Sequence, residues 1–312
     1  MTLDNQSLVT EFILVGFSDL SPNLQHFLFV LFLILYVLTL LGNALIFVIL
    51  TVDSRLHTPM YFFLRNLAIL ELGYISVTIP KMLLNLLIKD KSITVLGCAL
   101  QMYFFLFLGA AECLFLAIMA YDRYVAICSP LHYTTVMTKK KCGILAGALW
   151  VTGMVFSAGR TSFIFSLPFC RTNVVNHFFC DISPILRLAC ADTYINDLVT
   201  LAAGVVVVLL PFLLIFASYI FILSSVRKIN SSEGREKAFS TCTAHLTSVT
   251  LFYGTGLLTY LQPRSGSSIE RERVFAMFYA VVMPMLNPMI YSLRNKEVKG
   301  ALRRRISRNL CP

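Results

Sequence analysis

The chain has 312 residues, of which 57% are hydrophobic and only 13% charged, and its mean hydropathy is +0.77. Ordinary globular proteins are roughly 45–50% apolar and about 25% charged, so this composition excludes a soluble enzyme and a disordered chain. The net charge of +10 would suggest a nucleic-acid partner in a soluble protein, but most basic residues here lie between or after apolar runs. The sequence therefore predicts an integral membrane protein.

The first twenty residues predict a short tail that is not a cleavable signal peptide. They contain Asp4, Glu11 and Asp19, and they have neither a basic residue nor a long apolar core. We therefore expect the first apolar segment to drive export and to carry the tail across the membrane with it.

Seven apolar runs follow, each long enough for a bilayer-spanning helix of about 20 residues. They cover residues 24–50, 59–87, 98–128, 142–162, 197–226, 238–261 and 273–293. The pattern predicts an all-α membrane protein, a seven-transmembrane helix bundle. Its parts would be an extracellular tail (1–23), the seven-transmembrane domain (24–293) and a cytoplasmic basic tail (294–312).

The basic residues predict the orientation. Taking the N-terminus as extracellular, the cytoplasmic stretches hold 17 of the 26 Lys and Arg residues, which satisfies the positive-inside rule. In the last stretch Val298, Ala301, Leu302 and Ile306 recur at roughly helical spacing, which predicts a short amphipathic helix on the inner leaflet. A disordered basic tail is the alternative.

One glycosylation motif fits this orientation. Asn5-Gln6-Ser7 would face the lumen and accept a glycan, whereas the motif at Asn230 would be cytosolic and silent.

Four of the nine cysteines would lie outside the membrane, where the oxidising environment favours two disulfides. They are Cys98 at the start of the third run and Cys170, Cys180 and Cys190 in the long segment after the fourth; sequence alone allows three pairings. A bridge from Cys98 to the middle of the segment would pin it across the bundle mouth. A metal site that also uses His177 is the rival, but the spacing matches no paired zinc pattern. The other five cysteines should be free thiols.

Two acidic residues, Glu71 and Glu112, fall at mid-depth in the second and third runs. Charges there are expensive and usually face the interior of the bundle. One hypothesis is a sodium ion or a proton bound between the two carboxylates. The other is a pair of separate protonated acids that stabilise packing.

Five motifs occur in order along the chain. Residues 56–64 read LHTPMYFFL, residues 119–128 read MAYDRYVAIC, and residues 218–219 are Ser-Tyr. Residues 237–245 read KAFSTCTAH, and residues 284–295 read PMLNPMIYSLRN. Together they resemble the vertebrate olfactory receptors, a branch of the rhodopsin-like G protein-coupled receptors, and the resemblance covers essentially the whole chain.

This resemblance implies an odorant-activated receptor of the plasma membrane that has no catalytic chemistry and no cofactor beyond the possible sodium ion. Its expected partners are a small volatile odorant, membrane lipids and the stimulatory olfactory G protein, which raises cyclic AMP; no nucleic acid is expected. The residues expected to serve activation and G protein coupling are Asp122, Arg123, Tyr124, Tyr219, Lys237, His245, Asn287, Pro288 and Tyr291.

The chemistry of some of these residues supports a role as switches. The alternative is a purely structural role: a charge at the membrane interface for Asp122-Arg123, a kink for Asn287-Pro288 and an anchor for Tyr291. Asp122 can hold the Arg123 guanidinium in a local ion pair whose release would expose a donor fork to the G protein. Asn287-Pro288 removes a backbone bond and makes a pivot in the seventh helix. The sixth helix lacks the tryptophan of many rhodopsin-like receptors, and Tyr253 is the candidate toggle in its place.

The candidate pocket follows from helical phase. Its residues are Met102, Phe105, Leu106, Gly109 and Ala110 on the third helix, Ala203 and Val207 on the fifth, Tyr253, Gly256, Leu257 and Tyr260 on the sixth, and Met277 and Ala280 on the seventh. No side chain in this set is ionisable at neutral pH, so the expected ligand is small, mainly apolar and neutral, with at most one or two hydrogen bonds, to Tyr260 or Thr255. Arg264 could steer a carboxylate but is interpreted as a solvated loop charge.

Two other classes fit less well. A transporter would show matched, inverted halves, and a membrane enzyme would need a nucleophile and base or a metal pair at one depth. The five histidines are scattered near boundaries on both sides. A receptor of the same family that acts in a non-olfactory tissue stays open.

Overall fold

Seven long helices form the body of the molecule in a computed structural model, which describes residues 9–170, 172–228, 231–260, 269–294 and 298–304. They are α1 (Pro22–Val52), α2 (Pro59–Leu87), α3 (Val95–Cys128), α4 (Lys139–Phe165), α5 (Tyr194–Val226), α6 (Ser232–Tyr260) and α7 (residues 269–294). Within the described ranges, six of them are long and apolar enough to cross a membrane. The less apolar α6 is equally long, at 29 residues. The predicted seven-helix membrane bundle is confirmed.

Local chemistry sets where these helices begin. Pro22 and Pro59 open α1 and α2, where a missing N–H removes no helical hydrogen bond. The side chains of Thr94 and Thr138 cap α3 and α4, accepting from the amides of Gly97 (3.0 Å) and Lys141 (3.3 Å). These caps start α3 and α4 three residues before the predicted boundaries.

Helix α3 lies at the centre and packs against α2, α4 and α5. Its residues Phe115 and Leu116 are fully buried. Gly153 allows α4 to approach closely, since a Cβ there would lie 3.1 Å from the Phe107 carbonyl oxygen. The indole of Trp150 donates to the Asn66 amide oxygen at 3.1 Å and so links α4 to α2.

Two helices contain a π-helical segment, Val205–Leu209 in α5 and Phe278–Val282 in α7. Such bulges are frequent at functional sites because they turn side chains away from the regular helical phase. Val207 and Ala280, both candidate pocket residues, lie in these segments.

A three-stranded sheet covers one end of the bundle, which we call the disulfide end. Strand β1 (Glu11–Leu14) lies between β2 (Ser92–Thr94), to which it is antiparallel, and β3 (Val174–Val175), to which it is parallel. Phe12 and Leu14 are fully buried while Glu11 and Ile13 are exposed, as the two-residue period of a strand requires. Part of the tail predicted over residues 1–23 is thus integrated into the fold as a strand.

Disulfides join Cys98 to Cys180 and Cys170 to Cys190. The structure thus selects one of the three possible pairings, and the first bridge fastens the loop between α4 and α5 to the start of α3. Arg273 of α7 also reaches this end, pairing with Asp19 at 3.0 Å and donating to the Asn176 carbonyl at 3.3 Å. Cys113, Cys128, Cys142 and Cys242 are free, as predicted; Asn5 and Cys311 lie outside the described residues.

The opposite end, which we call the Arg123 end, carries a short helix over residues 298–304. Val298 and Ala301 are buried, whereas Lys299 and Arg303 are exposed, so the predicted amphipathic pattern is present. Arg304 pairs with Asp53 at 3.0 Å, and this bond lowers the pKa of the Asp53 carboxyl. Ile306 lies outside the described residues.

Candidate functional site

An aromatic cluster lies beneath the loop that Cys180 anchors. The ring of Phe105 is 4.7 Å from that of Phe179, 4.9 Å from that of Tyr74 and 5.8 Å from that of Tyr279, measured between centroids. The Tyr279 hydroxyl donates to the Asp181 carboxylate at 2.9 Å. Burial raises the pKa of Asp181 above its ordinary value. The cluster thus joins α2, α3, α7 and the loop in one largely apolar region that contains the Tyr279–Asp181 hydrogen bond.

The candidate pocket residues occupy two levels below the disulfide end. Met102 packs beneath the sheet, in the same buried group as Phe12 and Leu14. Phe105 and Ala280 lie lower, in the main core, and Gly109 faces Tyr74. The remaining described members are Leu106, Ala110, Ala203, Val207, Tyr253, Gly256 and Met277, all buried or half-buried. The side chains of Leu257 and Tyr260, and all of Arg264, are outside the described residues.

Tyr253, the candidate toggle, is 2% exposed and connects α6 to α3. Its hydroxyl donates to the Cys113 carbonyl oxygen at 3.2 Å, and its ring is 5.3 Å from that of Phe212 on α5. The side chain therefore lies where three helices meet.

The two mid-depth acids converge on one amide. The Asn287 side chain donates from Nδ2 to both Glu71 and Glu112, the latter at 3.4 Å. Beside Glu71 and Asn287 is a cavity of about 10 Å³ that Asn43 also lines, with room for one water-sized occupant. Among the described residues, Glu71 Oε2 and Asn287 Oδ1 have no hydrogen-bond partner. Glu71 and Asn287 line this cavity and Glu112 does not, so the cavity offers a hard cation one carboxylate and one amide oxygen. The two neighbouring acids can also share a proton.

At the Arg123 end the predicted ion pair is present, although the hydrogen bond to Tyr133 is shorter. Arg123 Nε lies 3.8 Å from Asp122 Oδ2, and Asp122 is fully buried. The hydroxyl of Tyr133, which follows α3, donates to Asp122 Oδ1 at 2.8 Å. Burial, and then the Asp122 charge, raises the pKa of Tyr133. Asp122 is therefore held from two sides.

Tyr219 and His245 connect α5 to α6 near the same end. The Tyr219 hydroxyl is 2.8 Å from His245 Nδ1, and the two rings stack at 5.8 Å. Both residues are at least 95% buried. Tyr124 packs against Phe221 of α5 at 5.9 Å, whereas the side chains of Lys237 and Tyr291 lie outside the described residues.

Comparison with known proteins identifies the family. A family model described as olfactory receptor matches residues 32–309. Human olfactory receptor 10A4 is 54% identical over 99% of this chain and 98% of its own length, and human olfactory receptor 10C1 is 51% identical over 98% of each. Mouse olfactory receptor 5AR1 is 47% identical over 99% of each chain. The chain belongs to the olfactory receptor family.

Members of the olfactory receptor family are multi-pass G protein-coupled receptors, which are signalling proteins and not enzymes, and the family ordinarily carries no cofactor. The aromatic cluster and the contacts of Tyr253, Asp122 and His245 therefore lie within the helix bundle of a signalling protein, which requires no catalytic chemistry.

Three residues of this olfactory receptor were missed by the sequence reasoning. Asn43 bonds to Pro284, 241 residues further on, and Tyr133 bonds to Asp122, 11 residues earlier; neither spacing matches a regular helix or strand pattern. Arg160 is different, because it lies inside the predicted fourth run, where a charge is itself a signal. The rule that drew attention to Glu71 and Glu112 applies equally to Arg160.

Proposed function

We propose that this olfactory receptor binds a small, mainly apolar and neutral volatile between its helices and then activates the stimulatory olfactory G protein, which raises cyclic AMP. In this proposal the receptor lies in the plasma membrane, with the disulfide end outside and the Arg123 end in the cytoplasm. Family membership, the disulfides at one end and the basic residues at the other support this arrangement.

The observation that carries the proposal is that α6 is fastened at two levels. Tyr253 ties it to α3 beside the candidate pocket, and His245 ties it to α5 toward the Arg123 end. The two residues are eight positions apart, which is about 12 Å along a helix. A ligand that displaces the Tyr253 contact therefore moves α6, the same helix that carries His245.

The ligand class follows from the lining. The α3 face presents Phe105 and Leu106 with the small Gly109 and Ala110, so it offers apolar contact and little bulk. The aromatic cluster closes this region toward the loop. Such a site favours a compact apolar body with few hydrogen bonds.

Activation is then a population shift. A ligand that fits the active arrangement better than the resting one moves the equilibrium by the difference in its binding free energies. The end of α6 near His245 separates from α5, and Asp122 releases Arg123. The Arg123 guanidinium, with its planar donors, becomes available to the G protein.

The test is cyclic AMP in cells that express the receptor with the stimulatory olfactory G protein, across neutral and acidic volatiles. We expect a dose-dependent rise with neutral apolar compounds. Arg123→Ala should abolish it at equal surface staining, because that variant keeps the pocket and loses the coupling group. A response confined to carboxylic acids, or one that survives Arg123→Ala, would contradict the proposal.

We also propose that Glu71 and Glu112 hold a sodium ion or a shared proton in the resting receptor. Their convergence on Asn287 beside a small cavity supports a common occupant over two separate acids. If the occupant is sodium, lowering external sodium should shift the agonist dose-response curve, and Glu112→Gln should remove the shift. A curve that sodium leaves unchanged favours the proton.

A further inference from the structure

Arg160 is a buried charge in α4 that the proposed function does not use. It is 5% exposed, and it lies on the face of α4 that also buries Gly153, Ser157 and Ile164. The Ser157 hydroxyl, about one turn away, donates to the Tyr103 carbonyl of α3. Arg160 therefore points into the bundle, between α3 and α5.

The guanidinium has only part of its hydrogen bonding satisfied. Its Nη2 donates to the Thr200 hydroxyl of α5, which in turn donates to the Asn196 carbonyl at 2.6 Å. Its Nη1 has no hydrogen-bond partner among the described residues. No described carboxylate lies within 4 Å of the Arg160 guanidinium, so Arg160 forms no ion pair with them.

Two neighbouring side chains also carry polar atoms without a hydrogen-bond partner. Thr161 Oγ1 and Asn196 Oδ1 are buried, and neither has a hydrogen-bond partner in the part of the chain that the structure describes. We call Arg160, Thr161, Asn196 and Thr200 the Arg160 cluster. Burying a guanidinium among partly unsatisfied groups is unfavourable, and a charge inside a membrane bundle is by default the mark of a functional site.

The Arg160 cluster adjoins the candidate pocket. Thr200 precedes Ala203 by three residues, so these two side chains lie on one face of α5. The π-helical segment Val205–Leu209 begins two residues after Ala203 and contains Val207. A ligand lying against Ala203 and Val207 would thus have its outer end near Arg160.

We propose that Arg160 is a specificity-determining residue, whose Nη1 donates a hydrogen bond to the carbonyl oxygen of a neutral ligand. The receptor then selects apolar aldehydes, ketones or esters over hydrocarbons of the same shape. This inference rests on the proposed function and deepens it. A carbonyl oxygen can accept from Nη1 while Nη2 keeps its bond to Thr200, and a neutral acceptor suits the apolar wall at Ala203 and Val207.

A matched pair of ligands isolates the interaction. The probes are a medium-chain methyl ketone and the alkene in which a methylene group replaces the carbonyl oxygen, so the two have nearly the same shape. Binding is measured as the ligand-induced shift in the unfolding temperature of the purified receptor, and signalling is measured separately as cyclic AMP. A hydrogen bond to a charged donor is worth about 1.5–3 kcal/mol, so the wild type should prefer the ketone by about tenfold or more.

Four variants then test whether the ketone preference depends on Arg160. Arg160→Met should remove the ketone preference while retaining alkene binding, and Arg160→Lys should retain part of it. Thr200→Val should weaken the preference because it frees Nη2 and loosens the guanidinium. Ser157→Ala, on the same face of α4, is the matched control and should keep the preference in full.

Three results would overturn the inference: a wild type with no ketone preference, an unchanged preference in Arg160→Met, or a series in which only the corresponding carboxylate binds. Should Arg160→Met fail to reach the surface, Arg160→Lys and Thr200→Val carry the same comparison. Ketone-selective binding without a cyclic AMP response would instead contradict the proposed G protein coupling and leave the Arg160 assignment intact.

Discussion

The side-chain amide of Asn43 donates to the main-chain carbonyl of Pro284 at 3.2 Å. In an unbroken helix this carbonyl would accept from the residue four positions later, but that residue is Pro288, which has no N–H. A side chain of α1 therefore completes the hydrogen bonding of α7 at its proline. The first and last helices of the bundle are joined at the pivot on which the proposed switching depends.

Replacing Asn43 by Leu should lower the stability of the receptor by about 1–3 kcal/mol, because the Pro284 carbonyl would be left buried and unbonded. The measurement is thermal unfolding of the purified protein in detergent. Thr51→Ala is the control, since the Thr51 hydroxyl bonds only to Phe47 of its own helix and is exposed. Equal unfolding temperatures for both variants would show that the α1–α7 bond contributes nothing.

Asp122→Asn should raise basal cyclic AMP. The amide removes the charge that holds Arg123 while still accepting from Tyr133, and a partly buried ion pair worth about 1 kcal/mol corresponds to an increase of about fivefold. Tyr133→Phe keeps the charge and loses the hydrogen bond, so it should raise the basal signal less. A basal signal that Asp122→Asn leaves unchanged at equal surface staining would remove the ion pair from the mechanism.

Phe12→Ala should destabilise the disulfide end by about 3–5 kcal/mol, as expected when a fully buried aromatic residue is truncated. The Phe12 ring lies edge-on to Phe169, 5.4 Å away. Ile13→Ala, on the opposite and exposed face of the same strand, should change stability by less than about 1 kcal/mol. Thermal unfolding and surface staining measure both variants, and similar losses would mean that β1 does not pack as described.

His177 should make the receptor sensitive to acid. Burial lowers the pKa of His177 to about 3, and the nearby charges of Arg273 and Arg187 act in the same direction. The unfolded chain therefore takes up a proton near pH 6.5 that the folded protein refuses until about pH 3, and stability falls as the pH falls through this window. The expected loss is about 2 kcal/mol between pH 7 and pH 5.

His177→Gln isolates that effect, because Asp181 and the arginines remain in both proteins. Unfolding temperatures across the same pH range should decline less steeply for the variant than for the wild type. Parallel curves would show that another group controls the acid response.

The long helices could be predicted because a bilayer requires about 20 apolar residues, a signal that is strong in six of the seven helices and weaker in α6. Their ends were less certain, since Thr94 and Thr138 extend α3 and α4 beyond the apolar residues. Strand β1 was not predictable, because its partners lie some 80 and 160 residues further on and its own four residues carry little signal.

Prediction of the candidate site was limited in the same way. The depth of Glu71 and Glu112 could be read from the sequence, but their convergence on Asn287 depends on the relative rotation of three helices. Helical phase placed Met102 and Phe105 on one face of α3. It could not show that Met102 lies under the sheet while Phe105 lies in the aromatic cluster.

The position of β1 at the centre of its sheet sets the order in which the receptor can be completed. The strand is the first of the three to be synthesised, yet β3, its parallel neighbour, is made only after four helices have emerged. Until β3 is made, β1 lacks its parallel neighbour, and Phe12 and Leu14 are not yet covered on the side where β3 will lie. Biogenesis thus has a late closing step at the disulfide end, and a nascent chain stalled before residue 174 would leave one edge of β1 unpaired and open to association with other chains.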